Sequence, residues 1–156
     1  IPSEPPHVAR WELIADFDGV LDFFAITSYP SFAFSVARKV PPLYYSQILD
    51  HTDLTLALVS VGYASAPGRE GMNSSTAAEQ RRFLQRLFRD ADELAAALVI
   101  WFAGLDPGYA TQPPLDLLAS IGLRTSDNEA KEAWPTWEET FARPYDRDAA
   151  TEPRPE

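Results

Sequence analysis

Three short apolar segments, each about the length of one β-strand, constrain the fold of this 156-residue chain more than any other feature. They read VLDFFAIT at 20–27, LTLALV at 54–59 and ALVIWF at 97–102. Nearly continuous apolar runs of this length are typical of parallel strands that are covered on both faces. Helical patterns precede, separate and follow them, at 7–17, 42–49, 76–92 and 134–141, with a short helix at 115–120. The sequence therefore predicts an α/β fold with parallel strands.

The helix between the second and third segments begins with a recognisable cap. Thr76 and Glu79 stand three residues apart before an apolar face, as in a capping box, in which both side chains satisfy free amides at the helix start. At the other end of the chain, residues 142–156 are charged and contain prolines, and we predict that they are disordered. Residues 1–141 are then expected to form one folded unit.

The strongly acidic composition limits the classes of partner. With a formal charge of −10 and a sequence pI near 4.6, the surface repels phosphate backbones, so we expect no nucleic-acid partner. A neutral ligand such as a polysaccharide is compatible with this charge. No apolar run approaches the ~20 residues that span a bilayer, so no membrane partner is expected. The chain has no cysteine, and His7 and His51 lack metal-ligand spacing, so we expect neither a metal nor another cofactor.

The ends of the three predicted strands resemble those of retaining, clan-A-like glycoside hydrolases with a (β/α)8 barrel. They are similar to strands six, seven and eight, in that order, and a closing segment of the barrel follows. The residues that carry the resemblance are DFFAITSYP at 22–30, SVGYAS at 60–65, VIWF at 99–102 with Asp106 after it, and GL at 122–123, Asp127 and KEAW at 131–134. The resemblance implies a partial TIM barrel of about three βα units with a preceding helix, since a whole barrel takes ~250 residues.

The resemblance also implies a chemistry, and this sequence departs from the family pattern at one of its key residues. In this family the chemistry lies at the carboxyl ends of the strands, where two carboxyl groups about 5 Å apart cleave an O-glycosidic bond with retention. The seventh strand reads roughly S-E-V-G-Y-P-S, and its Glu is the nucleophile, but Ser60 stands at that position here. The acid/base follows strand four as an Asn-Glu pair, and the only such pair here, at 128–129, falls in a late loop. We therefore expect that the chain as given does not hydrolyse glycosides.

Four other residues are candidates for sugar binding by the same resemblance. Trp101 is expected either to lie under a sugar ring or to pack between strands and helices. Tyr29 corresponds to a tyrosine that hydrogen-bonds the nucleophile, and with Ser60 in that place we expect its partner to be lost. Tyr63 and Asp106 are further binding candidates. For Ser60 itself the alternatives are an occupant of the nucleophile site and an ordinary hydrogen-bonded serine at a strand end.

Three interpretations of the whole chain stay open. It is the carboxyl-terminal portion of a glycosidase-like barrel, truncated upstream; a carbohydrate-binding pseudoenzyme that retains a sugar-facing cleft; or an interaction module. The third follows because three strands leave two open sheet edges, which invite pairing with another chain that completes the barrel. The expected ligand is an oligo- or polysaccharide, and the family resemblance favours an extracellular or periplasmic location. Whether the chain is an enzyme is not decided by these residues.

Overall fold

A three-stranded parallel sheet forms the centre of the computed structural model, which describes residues 11–17, 19–68 and 73–144. Its strands are β1 (Phe23–Ser28), β2 (Thr55–Val61) and β3 (Leu98–Trp101), in the order β1-β2-β3. Both strand pairs are parallel. The predicted α/β fold with parallel strands is confirmed. Strand β1 begins three residues later than predicted, and β2 continues two residues further.

Two α-helices and several 3-10 helices flank the sheet within the described ranges. The α-helices are α1 (Ala77–Glu93) and α2 (Trp134–Phe141), both close to prediction. The 3-10 helices are Trp11–Phe17, Pro30–Phe32, Ala37–Lys39, Ser46–Asp50 and Leu115–Leu118. None of the helices described here is long and apolar enough to cross a membrane.

The predicted helices before β1 and before β2 were wrong in type or extent. The first is a 3-10 helix over its described residues, Trp11–Phe17, and residues 7–10 lie outside the description. The second begins at Ser46, because the stretch after Pro41 and Pro42 forms turns first. Most of the predicted disordered tail, residues 145–156, also lies outside the described residues.

Half of the predicted capping box is present at the start of α1. The Thr76 hydroxyl accepts a hydrogen bond from the backbone amide of Glu79 at 3.2 Å. The Glu79 carboxylate does not complete the box; its Oε2 accepts from the backbone amide of Ala37 at 2.8 Å. The prediction was wrong on this point because the 3-10 helix Ala37–Lys39 lies against α1 and offers its own free amide.

The hydrophobic core lies between one face of the sheet and α1. Buried side chains from the two elements meet there, namely Leu56, Leu58 and Val61 of β2 and Phe83, Leu84 and Leu87 of α1. The opposite face of the sheet is exposed on the two outer strands, and we call it the open face; it is defined by Phe23, Ala25 and Thr27 of β1 and Leu98 and Ile100 of β3. The strands were predicted to be covered on both faces. In the part of the chain described, the face towards α1 is covered and the open face is not.

Candidate functional site

A β-bulge in β2 determines which way Ser60 points. Ile26 pairs with Leu58, but the next residue of β1, Thr27, pairs with Ser60, so Val59 is an extra residue. Strict alternation would place Ser60 on the same face as Leu58, in the core. The bulge shifts the alternation by one residue and aligns Ser60 with Thr27 on the open face. The serine is consequently half-buried at the carboxyl edge of the sheet, and Val61 fills the core instead.

Tyr29 and Ser60 are joined by a hydrogen bond. The distance from the tyrosine hydroxyl to the serine Oγ is 2.6 Å, and either group can be the donor. Tyr29 follows β1 directly, so the ends of two adjacent parallel strands supply the pair. The expectation that Tyr29 loses its partner was wrong, because a serine hydroxyl accepts or donates a hydrogen bond as a carboxylate accepts one.

Two phenylalanines flank Tyr29, and we call the three rings the aromatic cluster: Tyr29, Phe32 and Phe102. The Tyr29 and Phe32 rings stack at a centroid distance of 5.5 Å and an angle of 17°. Phe102 meets Tyr29 edge-on, at 5.7 Å and 79°. Phe32 is 44% exposed, and the other two rings are half-buried. Sequence reasoning missed Phe102, although it continues the alternation of Leu98 and Ile100, which lie on the open face.

A glycine allows Tyr29 to pack at this position. A Cβ on Gly62 would overlap the buried side chain of Ile121 and would lie 3.3 Å from Cδ1 of Tyr29. The backbone amide of Gly62 also donates to the carbonyl of Ser28 at 3.1 Å, which holds the two strand ends together. The absence of a side chain at residue 62 is therefore part of the support for the aromatic cluster.

The structure places two of the predicted sugar-binding residues in the core. Trp101 is 6% exposed, and its indole Nε1 donates to the carbonyl of Ile121 at 2.8 Å. Tyr63 is fully buried, stacks on Phe83 at 4.6 Å and donates to the carbonyl of Phe34. Burial raises the pKa of Tyr63 to about 12, and the nearby Glu79 carboxylate adds to the effect. Of the alternatives for Trp101, the structure therefore favours core packing.

Asp106 belongs to an ion pair that connects the loops at the carboxyl edge. Its Oδ1 accepts from Lys131 Nζ at 2.5 Å and from the amide of Gly122 at 2.9 Å. Lys131 also donates to Ser65 Oγ at 2.8 Å and to the carbonyl of Ser120 at 3.2 Å. Burial lowers the pKa of Lys131, and the ion pair with Asp106 opposes that shift. In this arrangement Asp106 joins β3's loop to the chain's later segments.

The site contains no arrangement suited to metal chemistry as far as the chain is described. Within residues 11–17, 19–68 and 73–144, no group of three or more histidine, aspartate or glutamate side chains is placed to hold a metal ion. The aromatic cluster carries the hydroxyl of Tyr29, to which the hydroxyl of Ser60 is hydrogen-bonded. The arrangement can therefore offer hydrogen bonds and aromatic surface to a ligand.

Comparison with known proteins bears on the fold. No family model matches the sequence, and no curated protein matches it. Among solved structures, the glycoside hydrolase family 17 β-1,3-glucanosyltransferase from Rhizomucor miehei matches with 18% identity and a TM-score of 0.56, over 72% of this chain and 42% of that one. A β-glucuronidase from Bifidobacterium dentium matches with 17% identity and a TM-score of 0.63, over 81% and 22%. The chain shares its fold with part of a TIM-barrel glycoside hydrolase.

A third neighbour extends the same likeness. The exo-β-1,4-mannosidase Op5Man5 from Opitutaceae bacterium strain TAV5 has 16% identity and a TM-score of 0.55, over 77% of this chain and 22% of that one. The chain thus spans less than half the length of each of these enzymes. The predicted partial barrel is confirmed at the level of the fold, while the assignment to strands six to eight stays a prediction.

Proposed function

We propose that this chain is the carboxyl-terminal segment of a glycoside-hydrolase-like barrel, whose carboxyl edge contacts an oligo- or polysaccharide without hydrolysing it. The ancestral chemistry is the retaining hydrolysis of O-glycosidic bonds. The observation that carries the proposal is the hydrogen-bonded pair of Tyr29 and Ser60 beside the aromatic cluster, at the edge where parallel α/β barrels hold their sites. The neighbours' names, which include a glucanosyltransferase in complex with laminaritriose, support a carbohydrate as the ligand.

The aromatic cluster suits a sugar because of the shape and polarity of a pyranose ring. The faces of the ring carry C–H groups that pack on an aromatic side chain, and its rim carries hydroxyls that need polar partners. Phe32 and Phe102 provide partly exposed aromatic surface on two sides of Tyr29. The Tyr29 and Ser60 hydroxyls lie between the ends of β1 and β2, where they can meet the rim.

Ser60 makes hydrolysis by this edge ineffective. A serine hydroxyl is a weak nucleophile unless a nearby base removes its proton. The hydroxyl of Ser60 contacts Tyr29, whose phenol is itself a weak acid rather than a base. Lys131, the amine held by the loops after β2 and β3, is engaged with Asp106 and Ser65. A retaining reaction therefore lacks its attacking group at this position.

The test combines binding with turnover. Isothermal titration calorimetry with laminaritriose is expected to show saturable binding, which Phe102→Ala weakens about tenfold because a partly exposed aromatic contact is lost. Phe141→Ala is the matched control, since Phe141 is 82% exposed and belongs to α2. Chromatography of the same mixtures is expected to show intact laminaritriose. Absence of binding to laminaritriose and to a wider glycan panel contradicts the proposal, and release of glucose contradicts the inactivity.

A specific observation favours a second candidate function, that of an interaction module. The open face exposes Phe23, Leu98 and Ile100 at 52%, 47% and 44%, and the face as defined above contains no charged residue. A hollow of about 520 Å³ adjoins it at the edge of β1, beside Trp11 and Phe17. Since none of the residues that define the open face is charged, two copies can oppose these residues without opposing like charges.

This alternative predicts a dimer of the chain. Multi-angle light scattering is expected to give twice the monomer mass for the wild type and for Leu43→Lys, an exposed position outside the open face. Ile100→Lys is expected to give the monomer, because it places a charge within the apolar contact. A monomeric wild type at all concentrations counts against this second function.

A further inference from the structure

We infer that the carboxyl edge selects uncharged sugars over uronic acids; the inference rests on the proposed function and narrows its ligand class. The polar side-chain groups that the described residues are seen to bring together at the aromatic cluster are the hydroxyls of Tyr29 and Ser60. In such a pair one O–H is donated internally, while the other O–H and the remaining oxygen lone pairs are free for a ligand. The pair thus offers one donor together with acceptors.

A sugar hydroxyl matches both parts of this offer, whereas a carboxylate matches only the single donor. A sugar hydroxyl donates one hydrogen bond and accepts others, so it can use both functions of the Tyr29–Ser60 pair. An ionised carboxylate only accepts, and it is bound well by charged or multiple N–H donors such as those of arginine. A carboxylate oxygen can accept from the one free O–H of the pair, but it gains nothing from the remaining lone pairs, where acceptor meets acceptor.

The lysine that joins the loops at this edge is already fully used. Lys131 has three N–H donors, and its Nζ contacts Asp106, Ser65 and the carbonyl of Ser120. Its side chain is 9% exposed, against 19% for that of Asp106. To bind a uronate, Lys131 would have to leave a partly buried ion pair, and Asp106 would then stand unpaired beside the incoming carboxylate.

The overall charge acts in the same direction. The chain carries a formal charge of −10, so its field repels an anionic oligosaccharide before contact. Such repulsion between exposed charges weakens as salt is added. A neutral oligosaccharide has no net charge to be repelled, so its affinity is expected to be nearly independent of salt concentration.

The experiment compares laminaritriose with trigalacturonate on the wild-type chain by isothermal titration calorimetry at about 20 mM and about 300 mM salt, roughly a fifteenfold change in ionic strength. Laminaritriose is expected to bind about tenfold or more tightly than trigalacturonate, because a carboxylate can use only the one free O–H of the Tyr29–Ser60 pair and leaves its acceptors without a partner. Added salt is expected to strengthen trigalacturonate binding and to leave laminaritriose unchanged. Tyr29→Phe, which removes one hydroxyl and keeps the ring, is expected to weaken laminaritriose binding and to leave trigalacturonate unaffected.

The outcomes separate this inference from the proposed function. Equal or tighter binding of trigalacturonate, or uronate binding that weakens with salt, overturns the selectivity and leaves a carbohydrate-binding edge in place. If neither trisaccharide binds, the selectivity is overturned, and so is the choice of laminaritriose as a ligand. Tighter laminaritriose binding that Tyr29→Phe leaves unchanged also contradicts the inference, because the selection would then not pass through the hydroxyl pair.

Discussion

Gly62→Ala is the substitution that tests most sharply how the site is built. The new methyl group would occupy space held by the Ile121 side chain, which is fully buried, and would lie 3.3 Å from the ring of Tyr29. Because a packed interior yields little, overpacking of this kind costs about 1–3 kcal/mol of the free energy of unfolding. The displacement also reaches Tyr29, so laminaritriose affinity is expected to fall together with stability.

A double-mutant cycle separates the overlap from other effects of adding a methyl group. Ile121→Ala alone removes the overlapping atoms and is expected to cost about 2–5 kcal/mol through the cavity that it leaves. In the double variant the methyl group added at position 62 enters that cavity, so the total loss is expected to fall short of the sum by about 1 kcal/mol or more. Urea unfolding followed by tryptophan fluorescence measures each free energy.

Gly104→Ala is the control, because a Cβ on that residue meets nothing within 4 Å. We expect its free energy of unfolding to stay within about 0.5 kcal/mol of the wild type. Two results would refute this account of the packing: a Gly62→Ala variant as stable as the control, or strictly additive losses in the double variant.

Three further predictions concern the side chains around the site. Gln80→Ala should cost about 2–4 kcal/mol, because the buried amide donates to three backbone carbonyls, whereas Gln85→Ala on the exposed side of α1 should be nearly neutral by urea unfolding. Lys131→Met should cost about 3 kcal/mol by leaving its aspartate unpaired, while Arg143→Ala, whose ion pair is exposed, should cost under about 0.5 kcal/mol; equal losses would contradict the burial argument. The pKa of Tyr63 is raised to about 12, so the unfolded chain loses this proton first and stability should fall from pH 10 to about pH 12, by ~1.4 kcal/mol per unit. Tyr63→Phe should remove this contribution to the fall in the free energy of unfolding with pH. An unchanged slope between pH 10 and about pH 12 would contradict the assignment to Tyr63.

The order of elements could be predicted from the sequence because apolar runs and helical periodicity are local signals. A single segment of the chain is enough to recognise each apolar run that forms β1, β2 or β3. The same is true of Thr76, which caps α1. Two features could not be predicted in this way, because both depend on what lies beside them in the fold. They are the 3-10 character of Trp11–Phe17 and the hydrogen bond that the Glu79 carboxylate accepts from the amide of Ala37. Tertiary contacts decide such cases against local preference.

The site was harder to predict, because a continuous apolar strand does not show which face each residue occupies. The motif drew attention to Trp101, whereas Phe102 is the residue that continues the open face and meets Tyr29. The bulge at Val59 leaves no mark in the sequence, yet it determines that Ser60 points away from the core. The Tyr29–Ser60 pair, by contrast, could have been anticipated from the hydrogen-bonding capacity of the two hydroxyls.

Chemical-shift mapping by NMR of the wild-type chain titrated with laminaritriose tests the central claim most directly. The account predicts that the largest shifts, with a common saturation curve, fall on Tyr29, Phe32, Ser60 and Phe102, and that resonances of α2 stay unchanged. It also predicts that the spectrum of the sugar shows no cleavage over the titration. Shifts centred away from these four residues, or no saturable shifts at all, would contradict the claim that this edge is a carbohydrate-contact surface.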